Sequence, residues 1–150
     1  MRIVLQRVSR ASVSVGGEQV SSIGKGLLLL VASGKDDRPG EIEKLASKIS
    51  GLRVFEDPEG KANLSAADVG GEFLVVPQFT LYGDVRKGRR PSWDAAAEPE
   101  AATERVEAFA SALEALGGRV SRGSFREHME VDLLNDGPLT LVLDGAQLFG

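Results

Sequence analysis

The chain has 150 residues, 42% hydrophobic and 27% charged, with a net charge of −4, which is typical of one globular domain spanning residues 1–150. It contains no cysteine, which excludes disulfides and thiolate catalysis, and its acidic balance argues against a broad nucleic-acid-binding face, so any RNA contact must be local. The N-terminus is charged and the longest apolar stretch is Leu27 to Ala32, so we expect a cytoplasmic protein without membrane contact.

The first third of the chain alternates between apolar and polar side chains. Segments Arg2 to Ser9 and Ala11 to Val15 follow this pattern and precede the glycine pair 16–17, which predicts antiparallel strands joined by a hairpin. The continuous apolar run from Leu27 to Val31 indicates a buried central strand.

Helical spacing replaces this alternation between Asp37 and Ser50. Its apolar stripe predicts an amphipathic helix, with Asp36 or Asp37 as the N-cap. Short strands are predicted at Leu52 to Phe55 and at Glu72 to Val76.

The second half begins with a long predicted loop, Tyr82 to Ala97, followed by a helix from Pro99 to Leu116 that glycines terminate. The last strand candidates are Arg119 to Ser121, Met129 to Leu134 and Leu139 to Leu143, the final two joined by a tight turn. Because strands and helices do not alternate regularly, we predict an α+β fold: a curved, mostly antiparallel, barrel-like sheet with two packed helices.

The usual side-chain catalysts are missing. The only histidine is His128, which we interpret as an ordinary strand-end residue, and no nucleophile elbow, metal-ligand spacing or Walker loop occurs. We therefore expect neither a metal nor another cofactor. An enzyme of this composition would have to rely on backbone N–H groups, a hydroxyl and groups of the substrate.

Three segments have residues that could bind a substrate or take part in catalysis. In Val75 to Leu81 a buried strand ends at a proline, and backbone N–H groups beyond it could hold an oxyanion; the alternative is a plain strand end. Asn135 to Thr140 is either a simple hairpin turn or a rigid wall made by the Gly137–Pro138 backbone. Asp84 to Trp93 is basic and is either a phosphate contact or a solvated loop.

In this order and spacing, these segments resemble the D-aminoacyl-tRNA deacylase family. The resemblance runs from Met1 to about Leu143 and rests on the following segments: Leu5 to Val13, Gln78 to Leu81, Lys87 to Ser92, Gly123 to Phe125 with Met129, and Asn135 to Thr140. One departure is Pro77, because the family usually has serine before the Gln-Phe-Thr run.

The resemblance implies a homodimer with active sites at the subunit interface. It implies that a cis Gly137–Pro138 bond reaches into the partner's pocket and excludes L-aminoacyl groups, whereas D-aminoacyl groups and glycine fit. Aminoacylated tRNA is then the substrate. The other residues that we expect to contact the aminoacyl group are Pro77, Phe125 and Met129.

For catalysis we expect the segment Gln78, Phe79 and Thr80. Backbone N–H groups near Phe79 and Thr80 would stabilise the oxyanion, while the terminal 2′-hydroxyl of the tRNA helps to activate water or orients the ester. An alternative makes Thr80 a covalent nucleophile, which requires an adjacent base. Contacts with tRNA phosphates are expected from basic residues of the loop, namely Arg86, Lys87, Arg89 and Arg90. Two other functions stay open, a non-catalytic RNA-binding module and a general esterase.

Overall fold

Strand β1 (Arg2–Val15) is the central element of the computed structural model, which describes residues 1–150. It pairs antiparallel with β2 (Glu18–Ile23) through its second half and with β3 (Gly26–Ala32) through its first half. Along its other edge it pairs with β8 (Met129–Asp144) over almost its whole length. Strand β1 therefore joins three strands, and the predicted hairpin at the glycine pair is confirmed.

Two further strands extend the sheet in parallel orientation. Strand β6 (Glu72–Pro77) pairs with β3, and β7 (Arg119–Arg122) pairs with β6. The order is β2-β1-β3-β6-β7, with β8 against β1. The sheet is mixed and nearly closes into a barrel, so the predicted α+β class and barrel-like core are confirmed.

Two long helices cover one face of this sheet. Helix α1 (Glu41–Gly51) and helix α3 (Pro99–Ala115) each bury an apolar stripe, which includes Leu45, Phe109 and Leu113. These side chains join strand residues in a cluster of 19 buried residues. Burial of each large side chain contributes about 1.5–3 kcal/mol, so this cluster fixes the helices on the sheet.

Shorter elements complete the chain. They are β4 (Phe55–Glu56), β5 (Ala62–Leu64), α2 (Ala66–Val69), a 3₁₀ helix (Phe79–Tyr82) and α4 (Gly145–Phe149). The fold thus has two short α-helices beyond the two predicted. None of its helices combines the length and the apolar character needed to cross a membrane.

The predicted cap of helix α1 is wrong. The N-cap position is Gly40, in a left-handed conformation at φ 83°, and no side chain caps the helix. Asp37 instead accepts hydrogen bonds from the Met1 ammonium group, the Ser33 hydroxyl and the Gly34 N–H. These contacts outside the helix compete for the carboxylate and fix the loop that follows β3.

The predicted hairpin within the last strand region is also wrong, because β8 is a single strand whose two halves both pair with β1. The pairing changes from Gln6↔Thr140 to Val8↔Asn135, so one residue of β1 lies opposite four residues of β8. The intervening residues bulge out of the ladder. The Gly137–Pro138 bond in this bulge is trans, in contrast to the cis bond that the resemblance implies.

Candidate active site

The site forms where the parallel strands end. Because β3, β6 and β7 run in the same direction, their carboxyl ends meet at one edge of the sheet, the usual place for ligands in such sheets. The Gln78 N–H donates to the carbonyl oxygen of Val31 at 2.8 Å, and the Gly123 N–H donates to that of Val75 at 2.8 Å. These bonds extend the strand pairing into the segments that begin at Gln78 and Gly123, which contain the predicted site residues.

A cavity of about 720 Å³ opens at this edge. Its volume lies in the range of small-ligand sites, about 300–1,000 Å³. Half of its lining residues are hydrophobic. The predicted residues in its wall are Pro77, Gln78, Phe79, Phe125 and Met129.

Thr80 lies just outside this wall. Its hydroxyl accepts a hydrogen bond from the side-chain amide of Gln78, which does line the cavity. No carboxylate, imidazole or amine hydrogen-bonds to the Thr80 hydroxyl, so the base that a covalent nucleophile requires is absent from its contacts. The same region brings no three His, Asp or Glu side chains into a metal-binding group.

An aromatic pair stands at the cavity. The rings of Phe79 and Trp93 pack edge to face, with centroids 5.3 Å apart and planes at 73°. Both side chains are exposed, Phe79 by 54% and Trp93 by 41%. Large exposed aromatic surfaces beside a cavity are suited to an apolar or planar ligand group.

The opposite wall is held by the loop after β3. The Ala97 N–H donates to the carbonyl oxygen of Ser33 at 2.9 Å, and the Lys35 N–H donates to that of Ala95 at 3.0 Å. The Arg105 guanidinium donates to the carbonyl oxygen of Gly34 at 2.8 Å. This network ties α3 and the segment after Trp93 to the edge of the sheet, so the cavity wall is preorganised.

The Asn135–Pro138 bulge lies outside the cavity of its own chain. The Arg7 guanidinium holds it, donating from Nε and Nη2 to the carbonyl oxygen of Asp136 at 3.1 and 3.0 Å. Nη1 donates to the carbonyl oxygen of Val54 at 2.6 Å. A Cβ on Gly137 would come within 2.1 Å of Arg7 Nη2, so this close approach requires glycine.

The basic loop, Arg86 to Arg90, does not line the cavity. Arg86 is engaged within the loop, because its guanidinium donates to both oxygens of Asp84. These hydrogen bonds lower the pKa of Asp84 to about 2, so the pair stays charged at neutral pH. Lys87, Arg89 and Arg90 are exposed and form no ion pair.

Sequence reasoning missed most of the other cavity residues, among them Lys35, Trp93, Arg126 and His128. Trp93 could have been suspected, since the only tryptophan of the chain directly follows the basic loop. The other three follow strand ends by a few residues. Only the parallel pairing of β3, β6 and β7, which no local pattern reveals, brings their segments together.

Comparisons with known proteins agree on one family. The family model described as D-Tyr-tRNA(Tyr) deacylase matches residues 4–144. A D-aminoacyl-tRNA deacylase of Koribacter versatilis is 56% identical over 99% of this chain and 100% of its own length. A D-aminoacyl-tRNA deacylase of Chloroflexus aurantiacus is 57% identical over 99% of this chain and 92% of its own length.

Solved structures share the fold. One described as c-Myc DNA Unwinding Element Binding Protein has a TM-score of 0.89 and 41% identity, covering 96% of this chain and 98% of its own. A probable eukaryotic D-amino acid tRNA deacylase has a TM-score of 0.78 and 18% identity, covering 95% of this chain and 97% of its own. At 18% identity the second similarity concerns the fold alone.

Replacing Arg7 by methionine tests its hold on the bulge. Arg7→Met keeps much of the volume but leaves the carbonyl groups of Val54 and Asp136 without their charged donor, so we expect a loss of about 2–3 kcal/mol in the free energy of unfolding. Urea unfolding measures this loss. Hydrogen exchange should also speed up at Asp136 and Gly137.

Arg10→Met is the matched control on the same strand. Arg10 pairs with Asp132, but both side chains are mostly exposed, so its removal should change stability by less than about 0.5 kcal/mol. Equal effects of the two substitutions would contradict the role given to Arg7.

Proposed function

The chain belongs to the D-Tyr-tRNA(Tyr) deacylase family, and from this premise we propose that its cavity hydrolyses the ester between a D-amino acid and tRNA. The enzyme is then a carboxylic ester hydrolase that acts on aminoacylated tRNA. The observation that carries the proposal is the cavity at the carboxyl end of β6, where Pro77, Gln78 and Phe79 form the wall. Since aminoacyl-tRNA is a substrate of translation, we infer that the enzyme works in the cytoplasm.

Backbone N–H groups perform the central step. The first N–H groups of a helix have no partner within it, and those of Phe79 and Thr80 begin the 3₁₀ helix at the cavity. Water attacks the ester carbonyl carbon, and the carbonyl oxygen becomes an oxyanion that these groups stabilise. The bond from this carbon to the ribose oxygen then breaks, and that oxygen takes the proton that the attacking water has lost. Loss of one such donor typically costs about 2.7–4 kcal/mol.

Water, and not Thr80, is the proposed nucleophile. The Thr80 hydroxyl has only the Gln78 amide as a side-chain partner, and an amide cannot remove its proton. The neighbouring 2′-hydroxyl of the terminal ribose is a group that the substrate brings to the reaction centre. It would orient the water or accept its hydrogen bond, which removes the need for an acid–base pair of side chains.

The competing functions have less support. A non-catalytic RNA-binding module would need aromatic stacking platforms or a basic face, whereas this chain has 5% aromatic residues and a net charge of −4. A general esterase would need a nucleophile with a base, and Thr80 has none in contact.

Selection between D- and L-aminoacyl groups is assigned to the Gly137–Pro138 backbone. In a single chain this dipeptide does not line the cavity, so it would act in the cavity of a second copy. A rigid main-chain wall rejects a side chain by steric clash and needs no polar contact. Glycine has no side chain to clash, so mischarged glycyl-tRNA is proposed as a second substrate.

The homodimer that this requires has a candidate surface on β8. This strand has 16 residues and pairs only with β1, so its outer edge keeps unpaired backbone groups that favour association. Three apolar side chains on it are exposed: Leu134 by 51%, Leu141 by 38% and Val142 by 75%. If a second copy covered β8, the Gly137–Pro138 dipeptide of each copy would lie close to the interface.

Matched D- and L-tyrosyl-tRNA test the activity directly. We expect rapid release of D-tyrosine and release of L-tyrosine at the rate of the enzyme-free control, because only the D side chain avoids the wall. Release of labelled amino acid over time is the measurement. Equal rates on both substrates, or none above the control, would contradict the proposed function.

Gly137→Ala tests the wall. The added Cβ would come within 2.1 Å of Arg7 Nη2 at a φ of 96°, so the dipeptide has to shift and L-tyrosyl-tRNA should be hydrolysed at least about tenfold faster, a change of about 1.4 kcal/mol in barrier. Gly60→Ala is the control, since Gly60 has φ 80° but open space around it. Unchanged L-rejection in a folded Gly137→Ala enzyme would refute the wall.

Val142→Asp tests the assembly. A charge on the most exposed apolar side chain of β8 should resist burial and shift the sedimentation coefficient from dimer to monomer. Val20→Asp is the control, because Val20 is also exposed, by 47%, but lies on β2. A wild-type chain that sediments as a monomer at micromolar concentration would exclude the proposed interface.

A further inference from the structure

Arg126 has an unusual backbone conformation. Its φ is 63°, and no other non-glycine residue of the chain has a positive φ. For an arginine this left-handed region is disfavoured by contact between Cβ and the backbone. Such strain persists where surrounding structure imposes it, and it is concentrated at functional sites.

The Arg126 guanidinium has no structural partner. The side chain is exposed and lines the cavity, yet it forms no hydrogen bond or ion pair. The backbone of its loop is held by other contacts, since the Ser124 N–H donates to the Met129 sulfur at 3.3 Å. Packing and charge pairing within the chain therefore give no reason for an arginine at this strained position.

Two cations of the cavity lining have no ion pair and could bind an anion. Besides Arg126, Lys35 is an exposed cation of the lining without an ion pair. The other titratable residues of the lining are Asp94, Glu98, Glu127 and His128, and none of them lies within ion-pair distance of Arg126 or Lys35. The two cations are thus available to a ligand from outside the chain.

The substrate presents an anion next to the ester. The terminal ribose of tRNA carries the aminoacyl ester and is joined through its 5′ oxygen to a phosphodiester. A guanidinium is planar and permanently charged, and it binds phosphate through two parallel hydrogen bonds. We propose that Arg126 binds the phosphodiester that joins the terminal adenosine to the preceding nucleotide. This inference rests on the proposed function and deepens it.

Binding of this phosphodiester by Arg126 affects the turnover of aminoacyl-tRNA but not that of smaller esters. An ester of D-tyrosine with adenosine alone contains the reacting bond but no phosphodiester. Arg126 then contributes to the turnover of D-tyrosyl-tRNA and contributes nothing to that of D-tyrosyl-adenosine. The basic loop contacts only more distant phosphates, because it lies outside the cavity lining.

The test compares Arg126→Asn with the wild-type enzyme on both esters. Asparagine removes the charge but tolerates a left-handed backbone, so the unfolding midpoint in urea should stay equal or rise. On D-tyrosyl-tRNA the KM should increase about tenfold with little change in kcat, whereas kinetics on D-tyrosyl-adenosine should be unchanged. The slope of log binding affinity for uncharged tRNA against log salt concentration should become shallower by about 0.7–0.9, the value for one phosphate.

Two further variants complete the design. Arg126→Lys keeps the charge without the planar fork and should recover part of the affinity. Arg53→Asn removes another exposed guanidinium that lies outside the cavity and should leave KM and the salt slope as in the wild type.

Three results would overturn the inference. They are an unchanged KM for D-tyrosyl-tRNA in Arg126→Asn, an equal loss on both esters, and an equal loss in Arg53→Asn. A wild-type enzyme that hydrolyses neither ester would contradict the proposed function instead. In that case the salt slope for uncharged tRNA still decides the inference, because it does not depend on turnover.

Discussion

The pairing of β8 with β1 depends on the hydrogen bonds of the buried Arg7 guanidinium. A charge that is only 8% exposed is costly unless its hydrogen bonds are satisfied, and here the carbonyl groups of Val54 and Asp136 satisfy them. The same contact fixes which residues of β8 leave the ladder. A slip of one residue would turn every side chain of β8 to the opposite face, so the position of the bulge is closely specified.

Parallel pairing imposes the second constraint, since it brings three distant segments to one edge. The ends of β3, β6 and β7 are separated by tens of residues in sequence, yet their backbones continue into shared hydrogen bonds. Cavity walls that begin directly at strand ends inherit the rigidity of the sheet. Rigid support is what backbone-based catalysis needs, because N–H groups stabilise an oxyanion only when they are already in position.

Local patterns predicted the elements better than their ends. Alternation in β1 and the apolar run of β3 were sufficient, because each pattern reflects the burial of one or both sheet faces. The Asn135–Pro138 segment has the composition of a turn, but it forms a bulge within one strand because β1 pairs with the residues on both sides of it. Asp37 has the chemistry of a cap and is engaged by the N-terminus and the loop after β3. In both cases a tertiary contact overrode a local preference.

Dividing the proposed site between two subunits has a consequence for selectivity. The cavity and the proposed oxyanion donors belong to one chain, whereas the proposed wall would come from the other. A dissociated chain would keep the ester-binding cavity but lose the element that rejects L-aminoacyl groups, and so would act on the normal substrates of translation. Because assembly follows mass action, fidelity would depend on enzyme concentration unless the dimer is tight. A long edge such as that of β8 is suited to this requirement, since its main chain is open to pairing on both sides of the bulge.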